Sequence, residues 1–107
     1  MEYLSAIKAR RSCYSLGNMP TLSKEGISHI ISDCVLHAPS AFNCQSARVL
    51  VLFSNAHYKF WQIVMNTLRA KISESAFPAT EDKIKGFSAS KGTILFFNDD
   101  DITKDLQ

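Results

Sequence analysis

"APSAFNCQSARVLVLF", residues 38–53, passes from small and polar residues around Pro39 into an unbroken apolar run. Pro39 ends whatever helix precedes it, because the residue before a proline is pushed out of the helical region. Residues 48–53, RVLVLF, are continuous, apolar and short, the pattern of a strand covered on both faces. Between them lie Ser40, Asn43, Gln45 and Ser46. Such a loop can be a plain helix-to-strand connection closed by Asx and Ser turns. It can also offer hydroxyls and amides to a polar ligand such as a ribityl chain or the edge of a heterocycle. Composition alone favours the plain connection. Arg48 sits just inside the buried-looking strand, and an unpaired buried arginine is costly, so it requires an anionic or carbonyl partner.

Upstream, residues 2–11 read as a short helix with Tyr3, Leu4, Ile7 and Lys8 at helical spacing and two arginines at its end. SLGNMPTLS breaks it through Gly17, Asn18 and Pro20. Ser23 is a good N-cap for a second helix reaching about residue 37, with Ile27, Ile30, Ile31, Cys34 and Val35 on one side. Downstream, Asn55 is expected to cap a third helix over 56–72, with Phe60, Ile63, Val64 and Leu68 together. Residues 73–80 read as a loop, Thr80 as the cap of a helix over 81–88, and Gly92 as the lead into a second buried strand, 93–97. NDDDITKDLQ is a charged end that can start another helix. Two strands alone make no stable sheet, so the pattern predicts part of an α+β domain, or a protomer that completes its core with a partner.

The 107 residues suffice for a single domain, 1–107. With 46% hydrophobic and 21% charged residues the composition is globular rather than disordered. A net charge of +2 gives no argument for nucleic acid or a membrane surface. The apolar runs are too short to span a bilayer. Residues 1–11 lack the apolar core of a signal peptide. Cys13, Cys34 and Cys44 are odd in number and contain no C-x-x-C pair, which argues against a disulfide framework or zinc site and points to a reducing, cytoplasmic setting.

Few groups carry obvious chemistry. Arg10 and Arg11, followed by Ser12, offer a guanidinium fork and a hydroxyl that match phosphate oxygens. The same cations at a helix C-terminus also simply favour its dipole. His29, His37 and His57 form no metal-spaced pair. His57 and Trp61, four apart on one helix, read as a packing pair. Cys44 has no base at a motif-defining distance and reads as a small buried thiol rather than a nucleophile. SASKGT has one glycine and is no phosphate-cradling loop.

Four blocks, ARRSCYSL, APSAFNCQSARVLVL, HYKFW and GFSASKGTILFFND, occur in the order and spacing of a known family. Together they resemble the nitroreductase family of flavoproteins, nearest to its fatty-acid repression mutant type branch. The resemblance implies an α+β homodimer that binds FMN at the subunit interface. It implies hydride uptake from NAD(P)H and electron transfer to nitroaromatics, quinones or similar small-molecule acceptors. By that resemblance Arg10, Arg11 and Ser12 meet the FMN phosphate and neighbouring oxygens. Pro39, Ser40, Ala41 and Asn43 lie along the isoalloxazine ring, supplied by the other subunit, and Gln45, Ser46 and Arg48 complete the motif. The protein then supplies orientation and electrostatics while the flavin carries the redox chemistry.

Two departures accompany the likeness. Tyr14 stands where a better-known branch has a basic residue. The resemblance also covers only the N-terminal half of the family fold, so further sheet strands and a later phosphate-binding cation are expected from elsewhere, with apolar faces buried in a dimer or larger assembly. A non-catalytic remnant acting as a flavin-binding or interaction module is the alternative. A third, independent of any family, is an anion- or nucleotide-binding domain built on Arg10 and Arg11.

Overall fold

The computed structural model describes residues 2–19 and 22–106, so Pro20, one of the expected turn residues, lies outside them. Among the described residues the chain forms α1 (Tyr3–Ala9), α2 (Lys24–His37), β1 (Ala47–Phe53), α3 (Ser54–Lys71), α4 (Phe77–Ser88), β2 (Gly92–Asn98) and α5 (Asp100–Thr103). Short 3-10 turns occupy Ala41–Asn43 and Lys104–Leu106. The architecture is α+β.

β1 and β2 pair antiparallel, from Ala47 opposite Asn98 to Phe53 opposite Gly92. Gly92 is required by close approach: a Cβ there would lie 2.7 Å from the Leu52 carbonyl oxygen and 2.9 Å from the Phe53 ring. The strand pair is bridged by an α3–α4 hairpin whose helices pack on each other, and α2 lies against β1. Thr93 faces α3, because its hydroxyl meets two α3 side chains. Side chains alternate along a strand, so Leu52, opposite it, and Leu50 and Leu95 share that face. Val49, Val51, Ile94 and Phe96 share the other.

Several helix ends follow from local chemistry. The Ser23 hydroxyl accepts from the Gly26 N–H at 3.0 Å, the cap expected for α2. α5 begins in the same way, with the Asp99 carboxylate accepting from the Asp101 N–H at 3.1 Å. Two boundaries differ from expectation. Asn55 does not cap α3: β1 runs straight into the helix through Ser54, whose φ of 51° turns the chain without a linker. Lys24 donates to the Ser54 hydroxyl at 2.6 Å and lies over the Phe53 ring, tying α2 to this corner. Nor does Thr80 begin α4, which starts three residues earlier at Phe77 with Pro78 in its first turn. A proline there loses no helical hydrogen bond and arrives with the right φ.

The strands differ most from expectation. Neither is covered on both faces within this chain: Leu50, Ile94, Phe96 and Phe97 are exposed, Phe96 to 76%. Among the described residues, Ile84 is the one apolar side chain classed as buried. The apolar side of α1, Tyr3, Leu4 and Ile7, is likewise open. A compact chain of 12.0 kDa exposes about 6,000 Å². This one exposes 8681 Å². Its radius of gyration is 17.2 Å, against about 13 Å for a compact domain of this length. Two strands and their helices hold the chain in register without closing a core.

Candidate functional site

The loop expected to hold a ligand, residues 38–46, is built from unusual backbone. Phe42, Asn43 and Gln45 have φ of 53°, 54° and 51°, the left-handed region that non-glycine residues rarely enter. Asparagine tolerates it through local hydrogen bonding, whereas each left-handed phenylalanine or glutamine costs on the order of 1 kcal/mol. The turn is held by internal bonds. The Ser40 hydroxyl accepts from the Gln45 N–H at 3.0 Å, and the Ser40 and Ala41 carbonyls accept from the N–H groups of Asn43 and Cys44. Phe42 consequently projects almost wholly into solvent.

The far end of the loop is stapled to β2. Ser46 is buried, and its hydroxyl donates to the Asn98 side-chain oxygen at 2.8 Å. The Asn98 amide nitrogen donates onward to Asp100 and Thr103, which fixes the oxygen toward Ser46. The Asp99 N–H donates to the Ser46 carbonyl at 2.9 Å. Arg48 is exposed rather than buried as expected, so no desolvation demands a partner; it nonetheless donates to the carbonyls of Gln45 and Ala47, both at 3.0 Å, and pairs with the Asp99 carboxylate at 3.3 Å. The Arg48 side chain is 53% exposed and that of Asp99 34%, so solvent still screens the pair and it contributes at most about 1 kcal/mol.

Sequence-selected residues therefore divide into two groups. Ser40, Ser46 and Arg48 are committed to shaping and anchoring the loop. The side chains of Asn43 and Gln45 make no hydrogen bond to any described residue, and Pro39 and Ala41 flank them on an open surface. The Cys44 thiol lies 3.5 Å from the Ser46 hydroxyl. The thiol donates to that hydroxyl, and hydrogen bonding with the Ser46 side chain and backbone holds it below its ordinary range, against a smaller upward push from burial. The hydroxyl serves Asn98 while the thiol is intact, so it must turn from Asn98 to stabilise a thiolate.

The second cluster stands at the end of α1. One Arg11 nitrogen donates to the Lys8 and Arg10 carbonyls, each at 2.8 Å, capping the helix C-terminus. This is the helix-end role, and it also fixes the guanidinium with its remaining N–H groups outward. The side chains of Arg10 and Ser12 have no hydrogen-bond partner among the described residues, and all three residues are exposed. Among the described residues, no hydrogen bond or ion pair joins this cluster to the loop 38–46 or to Arg48.

Sequence reasoning missed the role of His57 and Trp61. His57 is fully buried, with Nδ1 2.7 Å from the Thr93 hydroxyl and Nε2 2.9 Å from the Ser88 carbonyl. The carbonyl can only accept, which places a hydrogen on Nε2. The Trp61 N–H donates to the same Thr93 hydroxyl at 2.8 Å. The pair thus docks α3 onto β2 through the Thr93 hydroxyl and onto the α4 terminus through the Ser88 carbonyl, while the Trp61 ring also packs on Phe87. The only signal was a Thr opening an apolar strand. An open cleft of about 290 Å³ between α3 and α4, walled by Tyr58, Trp61, Met65 and Ile84, includes none of the sequence-selected residues.

Among the described residues, no three His, Cys, Asp or Glu side chains gather as a metal site, and no helix is long and apolar enough to cross a membrane. The family model of the nitroreductase family matches residues 7–105. The chain is 29% identical over 113 residues to the nitroreductase FRM2 of Saccharomyces cerevisiae, covering 99% of this chain and 53% of that one. It superposes on the nitroreductase CinD from Lactococcus lactis in complex with chloramphenicol with a TM-score of 0.81 and 33% identity, covering 99% of this chain and 52% of the other. A Saccharomyces cerevisiae nitroreductase structure gives 0.74 at 25% identity, with coverage of 98% and 57%. The chain spans about half the length of the curated relatives it matches. With nearly all of its length matched, the chain belongs to the nitroreductase family.

Proposed function

We propose that this chain contributes the phosphate- and ring-facing parts of an FMN site in an NAD(P)H-dependent oxidoreductase acting on nitroaromatics, quinones or similar acceptors, assembled as a cytoplasmic homodimer. The observation that carries this is the loop 38–46. It maintains three left-handed non-glycine residues and leaves the Asn43 and Gln45 amides unpaired. Strain of this kind persists where surrounding structure enforces it, and such residues cluster at ligand clamps.

The donor set fits the cofactor. Arg10 and Ser12 have uncommitted donors, and Arg11 is oriented by its bonds to the helix end, so together they present a phosphate-binding fork. The Asn43 and Gln45 amides can both donate to and accept from a heterocycle edge. Donors aimed at such an edge favour negative charge developing there. Ser46 and Arg48 hold the loop in place. FMN, when bound, supplies hydride and electron transfer. The chain's residues bind and orient it, and no protein acid or base is required for that role. By the resemblance to the family, the dimeric form would draw each site from two protomers.

The test is FMN titration of the purified chain, followed by quenching of flavin fluorescence. Saturable binding is expected, and Arg10→Ala should weaken it by roughly 1.5–3 kcal/mol through loss of a charge-assisted bond. Protein that stays colourless and leaves flavin fluorescence unchanged at high FMN would overturn the proposal.

A further inference from the structure

We propose that Asn98 is the positioning residue of the loop 38–46, acting on it through Ser46, and that Asp100 of α5 sets its orientation. The consequence for the flavin ring rests on the FMN reading. The relay itself consists of this chain's own side chains.

The relay runs in one direction. The Asn98 amide nitrogen lies 2.8 Å from the Asp100 carboxylate and 2.9 Å from the Thr103 hydroxyl. A carboxylate accepts and does not donate, so the nitrogen must face α5 and the amide oxygen must face Ser46. That oxygen also only accepts, so the Ser46 hydroxyl donates to it, at 2.8 Å. With its hydrogen committed, the same hydroxyl accepts from the Cys44 thiol at 3.5 Å. A charge on α5 thereby fixes the sense of a chain of bonds that ends inside the loop, between Asn43 and Gln45.

This is where the loop needs an anchor. Phe42, Asn43 and Gln45 are left-handed, and such backbone persists only where surrounding structure over-determines it. Ser40 secures the turn from within, by accepting from the Gln45 N–H, and the buried Ser46 secures its far end. An Asn98 amide turned the other way would present N–H groups to Ser46, whose hydroxyl would then be free to turn to Cys44. The amides of Asn43 and Gln45 would lose the fixed neighbour beside them. Asn98 acts through Ser46 throughout, which makes it a positioning residue.

The test combines titration with riboflavin, which lacks the phosphate, and the pH profile of Cys44 alkylation in flavin-free protein. Asn98→Leu should weaken riboflavin binding roughly two- to tenfold, the effect of one net hydrogen bond, and leave the ratio of FMN to riboflavin affinity unchanged. It should also move the alkylation profile to lower pH, because the freed Ser46 hydroxyl can donate to the thiolate. Asp100→Ala, at an exposed position, should move both readouts in the same directions and serves if Asn98→Leu does not fold. The exchanged pair Asn98→Asp/Asp100→Asn keeps the net charge and an acceptor facing Ser46, so it should restore both. An alkylation profile unchanged in Asn98→Leu would overturn the proposal. So would unchanged riboflavin affinity, or an exchanged pair as impaired as Asn98→Leu. Wild type that binds neither flavin would refute the FMN site instead, and the alkylation profile would still decide the relay.

Discussion

Replacing Thr93 with valine should destabilise the chain far more than its size suggests. The change preserves shape and β-branching while removing one hydroxyl. That hydroxyl accepts from the Trp61 N–H at 2.8 Å and meets His57 Nδ1 at 2.7 Å, beside the one fully buried side chain among the described residues. Valine satisfies neither nitrogen. Leaving a buried polar group unpaired costs about 1–3 kcal/mol, so two groups, one of them only partly buried, give roughly 2–4 kcal/mol. Domains of this length are stable by only about 5–15 kcal/mol, and a chain with so open a core belongs at the lower end. Urea unfolding followed by the emission of Trp61, the single tryptophan, measures the effect at the site itself. Trp61→Phe removes one donor and should cost less than Thr93→Val. A Thr93→Val midpoint within error of wild type would mean that the hydroxyl does not hold α3 to β2.

Ser46→Ala should cost about 1–3 kcal/mol, because the Asn98 oxygen loses its donor where the loop is stapled to β2; denaturant midpoints check this. Phe42→Gly should be neutral or stabilising by about 1 kcal/mol, since glycine accepts φ of 53° freely and the lost ring is solvent-exposed; clear destabilisation would contradict the left-handed turn. Arg48→Ala should cost no more than about 1 kcal/mol, with an effect that shrinks in high salt. The Cys44 thiol is held low, so its thiolate persists to lower pH than an ordinary cysteine's. Its alkylation rate should therefore rise at correspondingly lower pH, and Ser46→Ala should move that profile upward; an unchanged profile would remove Ser46 as the cause.

Much of the fold was legible because its signals are local. Ser23 announces α2, Pro39 ends it, and RVLVLF and GTILFF can hardly be anything but strands. The misplaced boundaries were also local: a proline in the first turn of α4 resembles a loop, and a left-handed Ser54 removes the linker that Asn55 was expected to cap. What could not be read depends on distant partners. Ser46 looked like a ligand-facing hydroxyl, yet its partner Asn98 lies 52 residues away. His57 and Trp61 looked like a packing pair because Thr93, 36 and 32 residues on, is invisible at helical spacing. Apolar strands predicted cover on both faces, but composition records only that cover is needed and not which chain provides it. Arg10, Arg11 and Ser12 stood out through residue chemistry alone, and the structure adds that Arg11 is anchored while Arg10 is free to reach a ligand.

The most direct measurement compares FMN with riboflavin, on the chain and on Arg10→Ala, by equilibrium titration. If the α1 cluster holds the phosphate, FMN binds roughly 10- to 100-fold more tightly than riboflavin to wild type, as loss of about 1.5–3 kcal/mol implies. Arg10→Ala should remove most of that advantage and leave riboflavin affinity unchanged. Equal affinity of wild type for the two flavins, or an Arg10→Ala loss as large for riboflavin as for FMN, would contradict a phosphate site at Arg10.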